Sequence, residues 1–364
     1  MKNDGSSLEP EEVAGPRHRP TMRDVAARVG LSQSAVSLVY RNAPGVGPET
    51  RDRVLRAAKE IGYHRDNAAS LLRSGRSRQL GVLFRMRHPF AVELTEHIYS
   101  AAETLGYHVV LSALTDTRSE RKAIDELLGN RCEGVLLLGV GSDTDVLRDI
   151  ARRVPVVAIG LPSPAPGIDV VRSDDSRGLG EAVAHLVALG HRRITYIDGG
   201  SGPGALQRRR GYRNAMRRHD LGEFAQVFPG EYTEMAGAGA AEQILASGPL
   251  PTAVIAANDE CALGVLDYLI RAGVKVPDDM SVVGYDDSRI AGLPFVDLTT
   301  VRQDAAMMAT AAVKAAVERL DQGRQEPRSV VLPAKLVVRS TTGNVPSPAP
   351  AAADPNHVGS APPQ

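Results

Sequence analysis

The sequence predicts a small all-α segment at the N-terminus followed by a larger α/β region whose parallel sheets divide it into two lobes. Three observations predict this. Helix start and stop signals crowd residues 21–62. From Leu80 onward, short uninterrupted apolar runs alternate with longer helical patterns. The net charge also changes sign between the two parts. At 364 residues the chain is too long for one ordinary core, and two to three units are expected.

The N-terminal segment reads as three short helices. Thr21-Met-Arg-Asp24 is a Thr-x-x-acid start, with Val25, Ala26 and Val29 on one face and Gly30 as the stop. Ser32 caps a second helix with Ala35, Val36 and Val39 inward. Pro48 opens the third at the first helical position, Val54, Leu55, Ala58 and Ile61 follow at helical spacing, and Gly62 closes it. Two helices joined by Gly30-Leu31 make a helix-turn-helix, whose second helix is built to enter a DNA major groove.

Charge supports that partner. Between Pro20 and Gln79 eleven Lys/Arg face five acids, a net of +6, while the first nineteen residues carry −1 and the rest −5. A basic small segment on an acidic large one suits contact with a polyanion through the former alone. Hydrophobic residues at 43% with 24% charged suit a globular chain. No apolar run is long enough for a membrane span, and the polar first nineteen residues do not resemble a signal peptide, so the expected compartment is the cytoplasm. Cys132 and Cys261 lie far apart, which argues against a disulfide or zinc framework. No metal or cofactor is expected.

In the larger region the candidate strands are Leu80–Phe84, His108–Ala113, Gly134–Leu138, Val156–Ile159, Arg193–Ile197, Ala253–Ala256, Ser281–Tyr285 and Val330–Val338. Between them lie helical patterns such as Ser176–Leu189, Cys261–Ala272 and Asp304–Leu320. Such strands belong in parallel sheets covered on both faces, here two sheets of about five strands each. Gly199 to Gly204 resembles a phosphate loop but lacks the Gly-Lys-Ser/Thr ending, and no nucleophile elbow or metal-spaced histidines stand out, so an enzyme is not expected. The sequence shows no internal repeat, and residues 343–364 read as a disordered Pro/Ala-rich tail.

The run from Thr21 to Ser37, then Pro44 to Arg51, then Ile61-Gly-Tyr63, resembles the headpiece of the LacI/GalR family of transcriptional regulators. The resemblance implies that Gln33, Ser34 and Leu38 read bases while Thr21, Arg23, Ser32, Ser37 and Arg51 meet phosphates of double-stranded DNA. Leu38 stands where the family often has Arg, and it can offer only an apolar contact such as a thymine methyl. Arg41 stands where Asn is frequent. Residues 66–75 resemble the family's hinge helix, with Leu72 as the minor-groove wedge and Ala69 beside it.

The resemblance continues to Thr341 and implies a sensor like the periplasmic binding proteins, with a small-molecule effector between its lobes. It assigns Arg208, Asn258 and Asp286 to the effector, and Phe90 as a stacking partner, with the small Ala91 where relatives carry an aromatic. Independently, Asn258 and Asp286 fall at carboxyl ends of predicted strands, where open α/β sheets bind ligands. Asp259 and Asp287 read as helix caps, and Arg209 and Arg210 as solvated surface charges. The expected organisation is a disordered 1–19, a headpiece at 20–64, a hinge and linker at 65–79, and the sensor at 80–342. Lobe 1 spans about 80–172 and 303–325, lobe 2 about 173–302 and 326–342. The expected assembly is a homodimer on a near-palindromic operator.

Overall fold

The structure is a computed structural model and describes residues 20–40, 43–63, 75–86, 89–115, 117–140, 143–161 and 165–345. The 1–19 extension, Arg41, most of the 66–75 hinge segment with Ala69 and Leu72, and the tail from residue 346 lie outside the described residues. The chain divides into two units between Ser77 and Arg78. Among the described residues no helix is long and apolar enough to cross a membrane.

In the first unit α1 (Met22–Val29), α2 (Gln33–Tyr40) and α3 (Pro48–Glu60) pack around Val25, Val36, Val39, Val54 and Ala58. The Thr21 backbone N–H and hydroxyl both donate to Asp24 Oδ2 at 2.7 Å, closing the start of α1. Gly30 takes φ +68°, which lets the Leu31 N–H reach back to the Ala26 carbonyl at 3.0 Å. The Ser32 hydroxyl accepts from the Ala35 N–H at 3.2 Å, so the expected cap of α2 is in place.

The second unit carries two lobes. The first holds β1 (Gln79–Arg85), α4 (Pro89–Thr104), β2 (His108–Leu114), α5 (Glu120–Gly129), β3 (Gly134–Leu138), α6 (Thr144–Ala151), β4 (Val156–Ile159) and β5 (Asp169–Ser173). The other holds α7 (Asp175–Ala188), β6 (Ile194–Ile197), α8 (Ala205–Arg218), β7 (Gln226–Phe228) and α9 (Glu234–Ala246). It continues with β8 (Ala253–Ile255), α10 (Asp259–Arg271), β9 (Ser281–Asp286) and β10 (Thr299–Arg302). The chain then returns to the first lobe as α11 (Ala305–Asp321) and β11 (Ser329–Leu332), and re-enters the second as β12 (Lys335–Val337).

The strand orders are β11-β5-β4-β3-β1-β2 and β12-β10-β9-β8-β6-β7. Every pairing is parallel except β10 with β12. The central strands of each sheet are buried on both faces. Leu80, Val82, Leu136 and Val157 pack with α4 and α11 residues such as Ile98 and Met308, while Leu83, Val135, Leu137 and Val156 pack with α5 and α6 residues such as Leu127 and Ile150. The parity follows from the two-residue period of a strand.

Three details differ from the sequence reading. Each sheet has six strands rather than five, because Asp169–Ser173, Gln226–Phe228 and Thr299–Arg302 are also strands. The single strand expected over Val330–Val338 breaks at Pro333, which has no N–H for a ladder. Its first half pairs with β5 (Val330 opposite Val171) and its second with β10 (Leu336 opposite Val301), so residues 329–332 belong to lobe 1, not lobe 2. Gly343 to Val345, read as tail, are held on lobe 2. The Gly343 N–H donates to Ser281 Oγ at 3.1 Å, and the Val345 N–H to the Leu189 carbonyl at 2.9 Å.

The chain therefore crosses between lobes three times, after Ser173, Gln303 and Leu332. Two crossings run straight into capped helices: Asp174 Oδ1 accepts from the Arg177 N–H at 3.1 Å, and Asp304 Oδ1 from the Met307 N–H at 2.9 Å.

Candidate functional site

In the first unit Gln33 and Ser34 are exposed in the first turn of α2, and Ser37 and Leu38 are half-buried one turn on. Thr21, Arg23 and Ser32 are exposed. The Ser32 and Ser34 hydroxyls are 2.9 Å apart. Arg51 is placed differently from a free phosphate ligand. Its Nη1 donates to the Val39 carbonyl at 2.9 Å, so the guanidinium on α3 closes the carboxyl end of α2, where orphan carbonyls and the helix dipole favour a cation.

In the second unit a cavity of about 80 Å³ lies between the lobes, at the carboxyl ends of strands from both sheets. Asp286, the last residue of β9, forms part of its floor at φ +118°, a backbone region that side chains other than glycine rarely take. Gln303 at the second crossing donates from Nε2 to Asp286 Oδ1 at 2.7 Å, and Arg208 Nη2 lies 3.6 Å from the same oxygen. Burial raises the Asp286 carboxyl to about 6, against the opposing pull of Arg208 and Gln303.

Arg208 comes from the first turn of α8 and is itself held on three sides. Nη1 donates to the Ala257 carbonyl at 2.7 Å, Nε to Asp175 Oδ1 at 3.3 Å, and the guanidinium stacks 3.7 Å above the Tyr285 ring centroid. The Tyr285 hydroxyl donates to the same Asp175 oxygen at 2.7 Å. Asn258 is the N-cap of α10. Its Oδ1 accepts from the Cys261 N–H at 2.9 Å, while Nδ2 faces Glu260 Oε2 at 2.5 Å and the Tyr232 carbonyl at 3.5 Å. Asp286 Oδ2, which has no partner among the described residues, and Arg208 Nη2 are thus the polar atoms least committed to the protein.

The other wall is apolar. Phe90, Ala91, Leu94, Leu138 and Ile159 line the cavity from lobe 1, with Gly139 and Gly160, and Met308 joins them from α11. The four residues assigned to the effector, Phe90, Arg208, Asn258 and Asp286, therefore line one cavity. Sequence reasoning missed Gln303 and Tyr232, which line it too, and the supporting pair Asp175 and Tyr285.

Two side chains read as caps are not caps. Asp259 is buried beneath the floor, accepting at Oδ2 from the Ser288 N–H and hydroxyl at 2.7 and 2.8 Å and at Oδ1 from Thr300 at 2.5 Å. Asp287 pairs with Arg302 and Arg339 at 2.5 and 2.6 Å. Arg209, read as a solvated charge, pairs with Asp198 at 3.1 Å.

Residues 21–66 match the family described as bacterial regulatory proteins, lacI family, and residues 183–342 match a periplasmic binding protein-like domain. The lactose operon repressor of Escherichia coli is 32% identical over 329 residues, covering 88% of this chain and 90% of that protein. The chain belongs to the lacI family of bacterial regulatory proteins. A LacI transcriptional regulator from a Rhodococcus species shares 47% identity at a TM-score of 0.72, over 74% of this chain and all of that one. The lac repressor dimer bound to operator and the anti-inducer ONPF aligns at a TM-score of 0.76 with 29% identity, over 90% of this chain and all of that one. As a lacI-family regulator, the chain combines a helix-turn-helix unit with a two-lobed α/β unit on parallel sheets.

Proposed function

We propose that the chain is a transcriptional repressor that binds double-stranded operator DNA as a homodimer, with its DNA affinity set by a small polar metabolite held between the two lobes. The observation that carries the effector half is the Arg208–Asp286–Gln303 group. A carboxylate with one open oxygen, faced by a guanidinium at 3.6 Å, matches a ligand that both donates and accepts hydrogen bonds, as a sugar or similar polyhydroxylated molecule does. The DNA half rests on the exposed polar first turn of α2 and on the +6 segment around it.

On this reading Gln33, Ser34 and Leu38 read base edges, and Thr21, Arg23, Ser32 and Ser37 meet phosphates. Arg51 contributes by holding α2 as well as by its charge. Ala69 and Leu72 would enter the minor groove. Acting on DNA, the protein works in the cytoplasm and is not an enzyme.

The test is a thermal-shift screen against sugars, polyols, nucleosides and their phosphates, followed by a DNA-binding titration with each hit. A ligand at 100 times its Kd should add about 2.7 kcal/mol of stability, and it should also change operator affinity. Stabilising ligands that leave DNA affinity untouched would reject the coupling.

A further inference from the structure

We infer that Arg78, Tyr107 and Asp321 form a latch that fixes the direction in which the chain leaves the sensor, and that they are positioning residues for operator recognition. This rests on the proposed function, in that the protein binds operator DNA as a homodimer. Arg78 is the first residue of the second unit, so the covalent path from one unit to the other passes through it.

Lobe 1 holds Arg78 in three ways. Its N–H donates to Glu133 Oε1 at 3.0 Å, and its carbonyl accepts from the His108 N–H at 2.8 Å. Its guanidinium lies 5.2 Å above the Tyr107 ring centroid, with Nη1 3.6 Å from Asp321 Oδ2. The buried Tyr107 donates its hydroxyl to the other oxygen, Oδ1, at 3.0 Å. The ring and the carboxylate are thus fixed to each other as well as to the arginine.

The backbone agrees. Arg78 takes φ +50°, a region that side chains other than glycine rarely adopt, immediately before β1 begins. Such a residue persists only where its surroundings over-determine it, as these contacts do. It turns the chain out of line with the strand at the edge of the sensor.

Asp321 is unusual in its own way. It is the last residue of α11, where the helix dipole and the open carbonyls favour a cation. An acid there does nothing for the helix, but it gives the guanidinium and the phenol a common partner. The other end of α11 begins beside Gln303, so one helix of 17 residues, about 25 Å long, runs from the cleft to the latch.

The role of the latch follows from how a dimer meets DNA. Two helix-turn-helix units must reach half-sites at a fixed separation, so each must leave its sensor in a defined direction. Random DNA is held through phosphates and needs no such separation. Loosening the latch therefore lowers operator affinity and spares random DNA.

The test uses the full-length protein, the tightest duplex that wild type selects from a random-sequence pool, and an unselected duplex of equal length. Asp321→Asn is the variant that decides, because it removes a negative charge. By charge alone it should tighten both duplexes. The latch predicts instead a loss of about three-fold or more on the selected duplex and none on the unselected one. An exposed ion pair is modest by itself, but a dimer carries two latches. Tyr107→Phe changes no charge and keeps the ring, so it should shift the selected duplex in the same direction, and it decides if Asp321→Asn misfolds. Selected-duplex binding that tightens or stays unchanged in the folded variants, or equal losses on both duplexes, would overturn the latch and leave the repressor reading standing. If wild type prefers no sequence in the pool, the operator reading itself fails and this inference falls with it.

Discussion

Glu260 Oε2 lies 2.5 Å from Asn258 Nδ2, so a buried acid fixes the orientation of an amide that lines the cleft. The other end of that amide caps α10, the helix on which Glu260 sits. The two residues therefore hold each other. Burial, reinforced by Asp286, raises the Glu260 carboxyl to about 7.

A pH dependence follows from that value. A carboxyl whose folded pKa lies above its unfolded value of 4.5 favours the folded state below that pH, and the contribution is lost as pH rises through about 7. Wild type should lose up to about 3 kcal/mol between pH 4.5 and 8 through this group. Glu260→Gln keeps an acceptor for Asn258 but cannot ionise. It should be the more stable protein at pH 8 and gain nothing near pH 4. Urea unfolding at both pH values checks this, and parallel curves for the two proteins would refute it.

Asp286→Ala should uncouple ligand from DNA. It removes a cleft carboxylate whose Oδ2 has no partner among the described residues, while the headpiece is untouched. A lost hydrogen bond to a charged group costs roughly 1.5–3 kcal/mol of ligand affinity, whereas ligand-free operator binding should be unchanged. DNA-binding titrations with and without a ligand found by the screen compare the two proteins. By reciprocity, DNA should also no longer alter the mutant's ligand affinity.

Gln33→Ala tests base reading. On the operator it should cost roughly 1–3 kcal/mol, and on random DNA almost nothing. Equal losses on both would show that Gln33 reads no base.

Arg51→Met should behave in the opposite way. Without the bond to the Val39 carbonyl, the carboxyl end of α2 loosens, so amide exchange across Gln33–Tyr40 should quicken. Affinity should fall on operator and random DNA alike. Unchanged exchange would mean that the arginine contributes by charge alone.

Much of this was legible in the sequence because local signals coincided with the fold. Gly30, Ser32 and Pro48 mark helix ends that the structure keeps, and the apolar runs mark the central strands. Failures came where the deciding contact is distant in sequence. Nothing near Asp259 announces Thr300, 41 residues away, so its carboxylate resembled an ordinary cap. Val330–Val338 is continuous in hydropathy, yet its halves serve different sheets because their partners, Val171 and Val301, lie in different lobes. Tyr232 carries no local mark, since its place at the cleft depends on glycines some thirty residues earlier. Gln303 follows Thr299–Arg302, a strand absent from the sequence reading, whereas Asp286 was assigned by the resemblance and fell at the end of an expected strand.

The three crossings after Ser173, Gln303 and Leu332 set how the sensor can move. One connection would let the lobes swivel freely, and two would still allow rotation about the line joining them. Three side-by-side tethers, two of them anchored at once by Asp174 and Asp304 caps, leave bending across the row as the soft motion and make sliding and twisting stiff. Because Gln303 is both a tether residue and the hydrogen-bond donor to Asp286, a ligand that draws on that carboxylate acts at the pivot itself. A small displacement there grows with distance from the row of tethers, in the manner of a short lever arm driving a long one.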